Sequence, residues 1–251
     1  MVGNGWLASI HANAGARLRL FCFAHAGGAA NVFAQWWRKL SSDVEVCPIE
    51  LPGRWARWRE EPLRDLVLAS QLIAEQLVQE FSSKPFVFYG HSLGGLIAYE
   101  TILRLRQAGQ PLPRALLVSG RAPPDAPLDR SPMHQLSDAG FISAMARHYE
   151  PIDERILAEP DLRQLMVKVL RADMQMYETY RWSPSQPLDL PVLGFAAIDD
   201  AGAPPEVMRG WERFSTRPVQ VEVFQGGHFF IRESEPFLRA LARAVSETGS
   251  R

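Results

Sequence analysis

A serine set between two glycines, Gly90-His-Ser92-Leu-Gly94, is where this sequence first writes chemistry into spacing. Glycines at i−2 and i+2 permit a sharp strand-to-helix turn that presents Oγ at its apex. The flanks agree: Phe86-Val-Phe-Tyr89 reads as an apolar strand and the run from Leu96 to Leu105 as a helix. A tight turn with no chemical role would carry the same glycines, so the reading depends on partners for the serine.

A serine hydroxyl is a weak nucleophile at neutral pH and needs a base, with an acid to orient that base. On this turn the chain order is serine, acid, histidine, each at the end of its own strand. Of the six histidines, His11, His25 and His91 precede the serine, and His134 and His148 fall in a helical stretch. His228 is left, in the loop Gln225-Gly-Gly-His-Phe-Phe230 after the strand Val219 to Phe224. The acid belongs after the strand ending at Ile198, where Asp199 and Asp200 stand side by side. Asp200 is expected, because the acid commonly stands three residues past a strand-end glycine, a place taken here by Ala197. Asp199 then caps or solvates the loop. The charge that develops on the attacked carbonyl oxygen needs two N–H donors. Leu93, just after the serine, supplies one, and the loop His25-Ala26-Gly27-Gly28 the other, with Ala26 expected ahead of Gly27. His25 itself is out of order for a base and is read as stabilising its loop.

Positioning these groups requires strands that end together. The pattern strand, loop, helix repeats: strands at Leu18 to Phe23, Val44 to Leu51, the run before Ser92, Ala115 to Ser119, Leu190 to Ile198 and Val219 to Phe224, and helices at Val32 to Leu40, Leu66 to Val78, Pro205 to Phe214 and Pro236 to Val245, with Thr248 to Arg251 expected to fray. Short apolar strands alternating with helices imply an α/β fold with a mostly parallel central sheet covered on both faces, its site at the carboxyl ends of the strands. The chain of 251 residues is read as one domain, 1–251. Between Ser119 and Leu190 the alternation stops, and an inserted helical lid is expected at about 121–185, helical from Met133 to Tyr180. Its apolar, flexible side chains, Met145, Tyr149, Met166, Met174 and Tyr177 among them, suit a mobile cover over an elongated acyl substrate.

Composition excludes several other classes. With 47% hydrophobic and 22% charged residues and a net charge of −1, nothing calls for nucleic acid or a membrane surface. No run approaches the roughly 18 apolar residues of a membrane span, and the N-terminus lacks the form of a signal peptide, so a cytoplasmic location is expected. Cys22 and Cys47 sit in apolar strands and are read as reduced core residues. No metal or organic cofactor is expected, and the working form is read as a monomer.

Taken together, Phe23-Ala-His-Ala-Gly-Gly28, Leu51-Pro-Gly-Arg54, Gly90-His-Ser-Leu-Gly-Gly95, the helical insertion and Gly226-Gly-His-Phe-Phe230 resemble the type II thioesterases of nonribosomal peptide and polyketide synthesis, across nearly the whole chain. The sequence departs from that family's pattern at Ala24, where proline is common, and at Ala197, where glycine is common. The resemblance implies an α/β-hydrolase fold and a thioesterase that clears stalled or wrongly loaded acyl groups from the phosphopantetheine arm of acyl or peptidyl carrier proteins. Within the family it is similar to the siderophore subgroup, such as the editing enzyme of pyochelin assembly. Without the resemblance the residues support a serine hydrolase of acyl esters or thioesters; a small-molecule carboxylesterase or lipase is the alternative, and a noncatalytic binding scaffold of the same fold a more distant one.

One loop carries a partner expectation. In Pro52-Gly-Arg54-Trp55-Ala-Arg57-Trp58-Arg59, arginines alternate with tryptophans after the second strand. Carrier proteins are typically acidic around the phosphopantetheine serine, and arginine pairs well with phosphate and carboxylate. Arg57 or Arg59 is expected to steer the carrier, with Arg54 structural or directed at the phosphate. The competing reading is a solvated loop whose tryptophans pack on the sheet edge, with Glu60 and Glu61 offsetting the charge.

Overall fold

The computed structural model describes residues 5–8, 12–80, 84–128, 131–232 and 234–249. Six strands form one sheet in the order β2-β1-β3-β4-β5-β6: β1 Leu18–Phe23, β2 Val44–Pro48, β3 Phe86–His91, β4 Leu116–Ser119, β5 Val192–Ala197 and β6 Gln220–Phe224. Every neighbouring pair is parallel, so every strand delivers its following loop to the same edge. That edge collects the loops after β1, β3, β4, β5 and β6, which hold all the residues considered above as nucleophile, base, acid and oxyanion donors.

Alternation along the strands builds two cores. Phe21, Phe23, Phe86 and Phe88 face α1 (Leu66–Glu80) and α2 (Leu93–Gln107), while Leu20, Cys22, Val87 and Tyr89 face α7 (Glu235–Gly249). Phe21 meets Phe88 edge to face at 5.9 Å and Phe23 meets it at 5.0 Å, and each fully buried side chain of this size is worth about 1.5–3 kcal/mol. Helix starts are set by short polar caps. Asp65 Oδ1 accepts the Leu68 N–H ahead of α1, and Ser234 Oγ accepts the Phe237 N–H ahead of α7. Cys22 and Cys47 are both buried in the strands where the sequence places them.

Several segments differ from their sequence expectation. The stretch Val32 to Leu40 forms two 3₁₀ turns, Ala30–Phe33 and Trp36–Arg38, in place of one helix. Phe33 and Trp36 both enter the same core, and a spacing of three suits the tighter turn. Likewise α6 is only Pro205–Met208, and the chain tightens into a 3₁₀ helix over Arg209–Phe214 that buries Trp211 and Phe214. The C-terminal helix runs further than expected, to Gly249, because Thr248 Oγ1 bonds back to the Ala244 carbonyl; Ser250 and Arg251 lie outside the described residues.

Between β4 and β5 the chain makes a 3₁₀ turn at Met133–Gln135 and then α3 (Asp138–His148), α4 (Glu154–Ala158) and α5 (Pro160–Thr179). Phe141, Met145, Leu170 and Met174 pack into a core of their own. Glu178 ties the turn to α5 by accepting the Met133 and His134 N–H groups at 2.9 and 3.0 Å. Leu162 on α5 is exposed.

Candidate active site

Ser92 stands at the junction of β3 and α2 with φ 54° and ψ −121°, a backbone conformation that costs a non-glycine residue on the order of 1–3 kcal/mol. The flanking glycines make the turn possible by having nothing to collide. A Cβ on Gly90 would lie 2.4 Å from the Gly94 carbonyl oxygen, and one on Gly94 would lie 2.1 Å from the Phe23 carbonyl oxygen. The strained turn places Ser92 at the positive end of the α2 dipole, where developing negative charge is favoured.

The loop after β6 brings His228 to this serine. Nε2 lies 2.9 Å from Ser92 Oγ, and Nδ1 lies 2.9 Å from Asp200 Oδ2, in the loop after β5. A carboxylate only accepts, so Nδ1 carries the ring proton and Nε2 is left to accept the Ser92 hydroxyl proton. Asp200 is buried, and its second oxygen takes the Gly202 N–H at 3.1 Å. Asp199 is exposed, its own N–H bonded to the Gly226 carbonyl at 3.0 Å. The structure therefore brings together Ser92, His228 and Asp200, and holds Asp199 outside the cluster.

Neither of the two N–H groups considered for the oxyanion has an acceptor among the described residues. Leu93 opens α2, so no carbonyl one turn back is available to its N–H. Ala26 N–H has no partner among the described residues, whereas Gly27 N–H is taken by Asp173 Oδ2 at 2.7 Å. His25 Nδ1 lies 2.9 Å from the Ala26 carbonyl and its ring packs on Phe229 at 4.9 Å. Burial lowers the His25 pKa to about 4, so the ring is neutral near pH 7.

Several neighbours carried no signal in the sequence. His91 is fully buried beside His228, ring to ring at 5.0 Å, with Nδ1 held by Ser119 Oγ at 2.8 Å; burial keeps it neutral, its pKa well below the usual histidine value. Gly120 must be glycine: φ is 55°, and a Cβ would meet His91 Cε1 at 2.8 Å and Asp200 Oδ2 at 3.2 Å. A cavity of about 30 Å³ remains above the serine, walled on one side by Met145, Tyr149, Met174 and Tyr177 from the segment between β4 and β5, and on the other by Arg121. The Arg121 guanidinium lies over the Tyr177 ring at 4.4 Å.

The three arginines of the 52–59 loop separate completely. Arg54 is buried and bidentate to Asp173, at 2.7 and 2.8 Å. Arg57 lies over the Trp6 ring at 4.2 Å, pairs with Glu60 at 2.6 Å and donates to the Glu50 carbonyl. Neither presents its guanidinium to a partner. Arg59 lies over Trp58 at 4.8 Å and has no carboxylate partner among the described residues, while Trp55 and Trp58 are 60% and 52% exposed. Of the two carboxylates that the competing reading sets against the loop's charge, Glu60 pairs with Arg57 and Glu61 with Lys168.

A parallel sheet carrying a strained serine at the head of a helix, with histidine and aspartate delivered by later strands, defines the α/β-hydrolase class. The chain belongs to the thioesterase domain family, whose model matches residues 18–247, and it is a thioester hydrolase. It is 34% identical over 232 residues to the gramicidin S biosynthesis protein GrsT of Aneurinibacillus migulanus, covering 92% of this chain and 90% of that protein. In structure it is similar to RedJ, the thioesterase from the prodiginine biosynthetic pathway in Streptomyces coelicolor, with a TM-score of 0.85 and 34% identity over 94% of this chain and 92% of that one. BorB, the type II thioesterase from the borrelidin biosynthetic cluster, superposes with a TM-score of 0.85 at 27% identity, covering 98% of this chain and 99% of BorB. Among the described residues no helix is long and apolar enough to cross a membrane.

Proposed function

We propose that this thioesterase is an editing enzyme of the type II class, hydrolysing acyl groups from the phosphopantetheine arm of carrier proteins in nonribosomal peptide or polyketide synthesis. The contacts Ser92–His228–Asp200, both at 2.9 Å, carry the serine-hydrolase step of this reading, and the similarity to GrsT, RedJ and BorB supports its place in nonribosomal peptide or polyketide synthesis. In the first step Ser92 Oγ attacks the thioester carbonyl while His228 Nε2 takes its proton. Asp200 holds the ring and stabilises the imidazolium that forms. Leu93 and Ala26 N–H groups receive the oxyanion. Collapse of that intermediate breaks the C–S bond, and His228 returns its proton to the departing pantetheine thiolate. Water, deprotonated by the same ring, then attacks the acyl-serine; the acyl–Oγ bond breaks, His228 returns the proton to Ser92 Oγ, and the acid is released. This chemistry calls for no metal or organic cofactor.

Helices α3 to α5 act in this reading as a lid. Their methionines and tyrosines line the narrow cavity above Ser92, and in this reading long acyl groups enter it as the lid moves. Arg59, which faces outward and has no carboxylate partner among the described residues, supplies the cationic contact for an acidic carrier beside exposed Trp55 and Trp58.

The test is incubation with a panel of acyl-carrier thioesters followed by intact-mass measurement of the carriers. Loss of the acyl mass with retention of phosphopantetheine is expected. Hydrolysis of simple esters with carrier thioesters left intact would replace this reading with a carboxylesterase.

A further inference from the structure

The oxyanion loop is held from below by buried charges, and one of them comes from the lid. Asp173, on α5, has no exposed surface. Its Oδ2 accepts the Gly27 N–H at 2.7 Å and an Arg54 N–H at 2.8 Å, and Oδ1 accepts a second Arg54 N–H at 2.7 Å. Arg54 in turn donates to the Gly28 carbonyl at 3.1 Å. Two residues further on, the Ala30 N–H is taken by Glu50 Oε2 at 3.1 Å. The loop is thus gripped at Gly27, Gly28 and Ala30, while Ala26 N–H, one residue before the first grip, has no acceptor among the described residues.

Such an arrangement is expensive to assemble for stability alone. A buried ion pair roughly offsets its own desolvation, and apolar residues of similar volume would serve the core as well. What the ion pair does that apolar packing cannot is fix the direction of a peptide plane. The bond from Gly27 N–H to Asp173 orients the residue that follows Ala26, and so restricts where the Ala26 N–H points. Oxyanion stabilisation depends on donors held in place before the charge forms, and a displaced donor forfeits most of its effect.

We propose that Asp173 is a positioning residue for the oxyanion loop: by bonding Gly27 N–H while paired with Arg54, it holds Ala26 N–H in its donor position, so that the loop is set while α5 is docked. The inference rests on the oxyanion role assigned to Ala26 above. It also makes the lid helix a structural part of the catalytic loop, since movement of α5 carries the acceptor away from Gly27.

The experiment compares Asp173→Ala with Asp173→Asn. Asparagine keeps an oxygen for Gly27 N–H and gives up the ion pair; alanine gives up both. Each variant is measured for the rate at which a fluorophosphonate labels Ser92, for kcat and KM on a short acyl-pantetheine thioester, and for Tm. Labelling builds charge on the same donors and involves no thioester, so it reads the loop even if the carrier-editing assignment is wrong. Expected for Asp173→Ala is a loss of about 10²-fold in labelling rate and kcat, with KM within about threefold. Asp173→Asn should recover at least about tenfold of that loss, although its Tm falls comparably. Equal losses in the two variants, or labelling that follows Tm alone, would overturn the proposal. If Asp173→Ala does not fold, the same pair is made with Arg54→Met, which leaves no unpaired buried charge. The asparagine double variant should then label at least about tenfold faster than the alanine one, and equal rates would again overturn the proposal.

Discussion

Asp200 Oδ2 stands 2.9 Å from His228 Nδ1, and Asp199, one residue earlier in the same loop, points into solvent. The difference in their surroundings predicts a difference in kinetics. Asp200→Asn should lower kcat on acyl-pantetheine by about 10³–10⁴-fold, because an amide can present its N–H to the ring and favour the wrong tautomer. Asp199→Asn should stay within about threefold of the parent. Comparable losses would mean that the ring is oriented by another group.

Backbone strain at Ser92 predicts a stability difference between two inactive variants. Ser92→Ala should abolish turnover with little change in Tm, since it keeps a Cβ in the same backbone conformation. Ser92→Gly should be equally inactive yet more stable than Ser92→Ala by about 1 kcal/mol, because glycine accepts φ 54° with less strain. Denaturant titration of the two inactive variants measures this directly. A glycine variant no more stable than the alanine one would show that the turn stores little energy.

Arg59 and Arg57 should part company under charge reversal. Arg59→Glu is expected to lower kcat/KM for an acyl-carrier substrate about tenfold at low salt and to flatten its salt dependence, leaving a short acyl-pantetheine unaffected. Arg57→Glu should instead lower Tm, since it places a carboxylate against Trp6, Glu60 and the Glu50 carbonyl. Equal kinetic effects on the two substrates from Arg59→Glu would move the docking surface elsewhere, to the lid first.

Glu50 predicts a pH signature in stability. Burial raises its carboxyl from 4.5 to about 7, against the opposing pull of the Ala30 N–H, Arg54 and Arg57. A folded-state pKa above the unfolded one means that the native protein binds the extra proton. The contribution is therefore fully present below about pH 4.5 and is lost as pH rises towards 7. Glu50→Gln keeps an oxygen for Ala30 and cannot ionise, so its stability relative to the parent should rise between pH 4.5 and 7, by on the order of 1 kcal/mol. Urea midpoints across that range would show it, and a constant difference between the two proteins would place the Glu50 carboxyl at its ordinary value.

What the sequence determined by itself is what depends on near neighbours and on chain order. The Ser92 turn was legible because two glycines, a strand and a helix lie within about a dozen residues, and each constrains the others locally. The sheet was legible because period-two apolar runs alternate with helices. His228 could be reached by order alone, since the other histidines fall before the serine or in the helical stretch. Tertiary structure decided whatever depends on residues far apart in the chain. Asp199 and Asp200 stand side by side, and although the offset from Ala197 favours Asp200, it is the turn bonding Asp199 N–H to Gly226 and Asp200 N–H back to Ala197 that settles which carboxylate faces the ring. Arg54, Arg57 and Arg59 read as one basic loop until Asp173, 119 positions from Arg54, and Trp6 claim two of them. The same holds for Ala26 over Gly27: their side chains argue little, and what separates their N–H groups is a carboxylate on a helix that the chain reaches only after crossing the sheet. Burial of a charge forces it to find its partner wherever the fold has put one, and no local pattern records where that is.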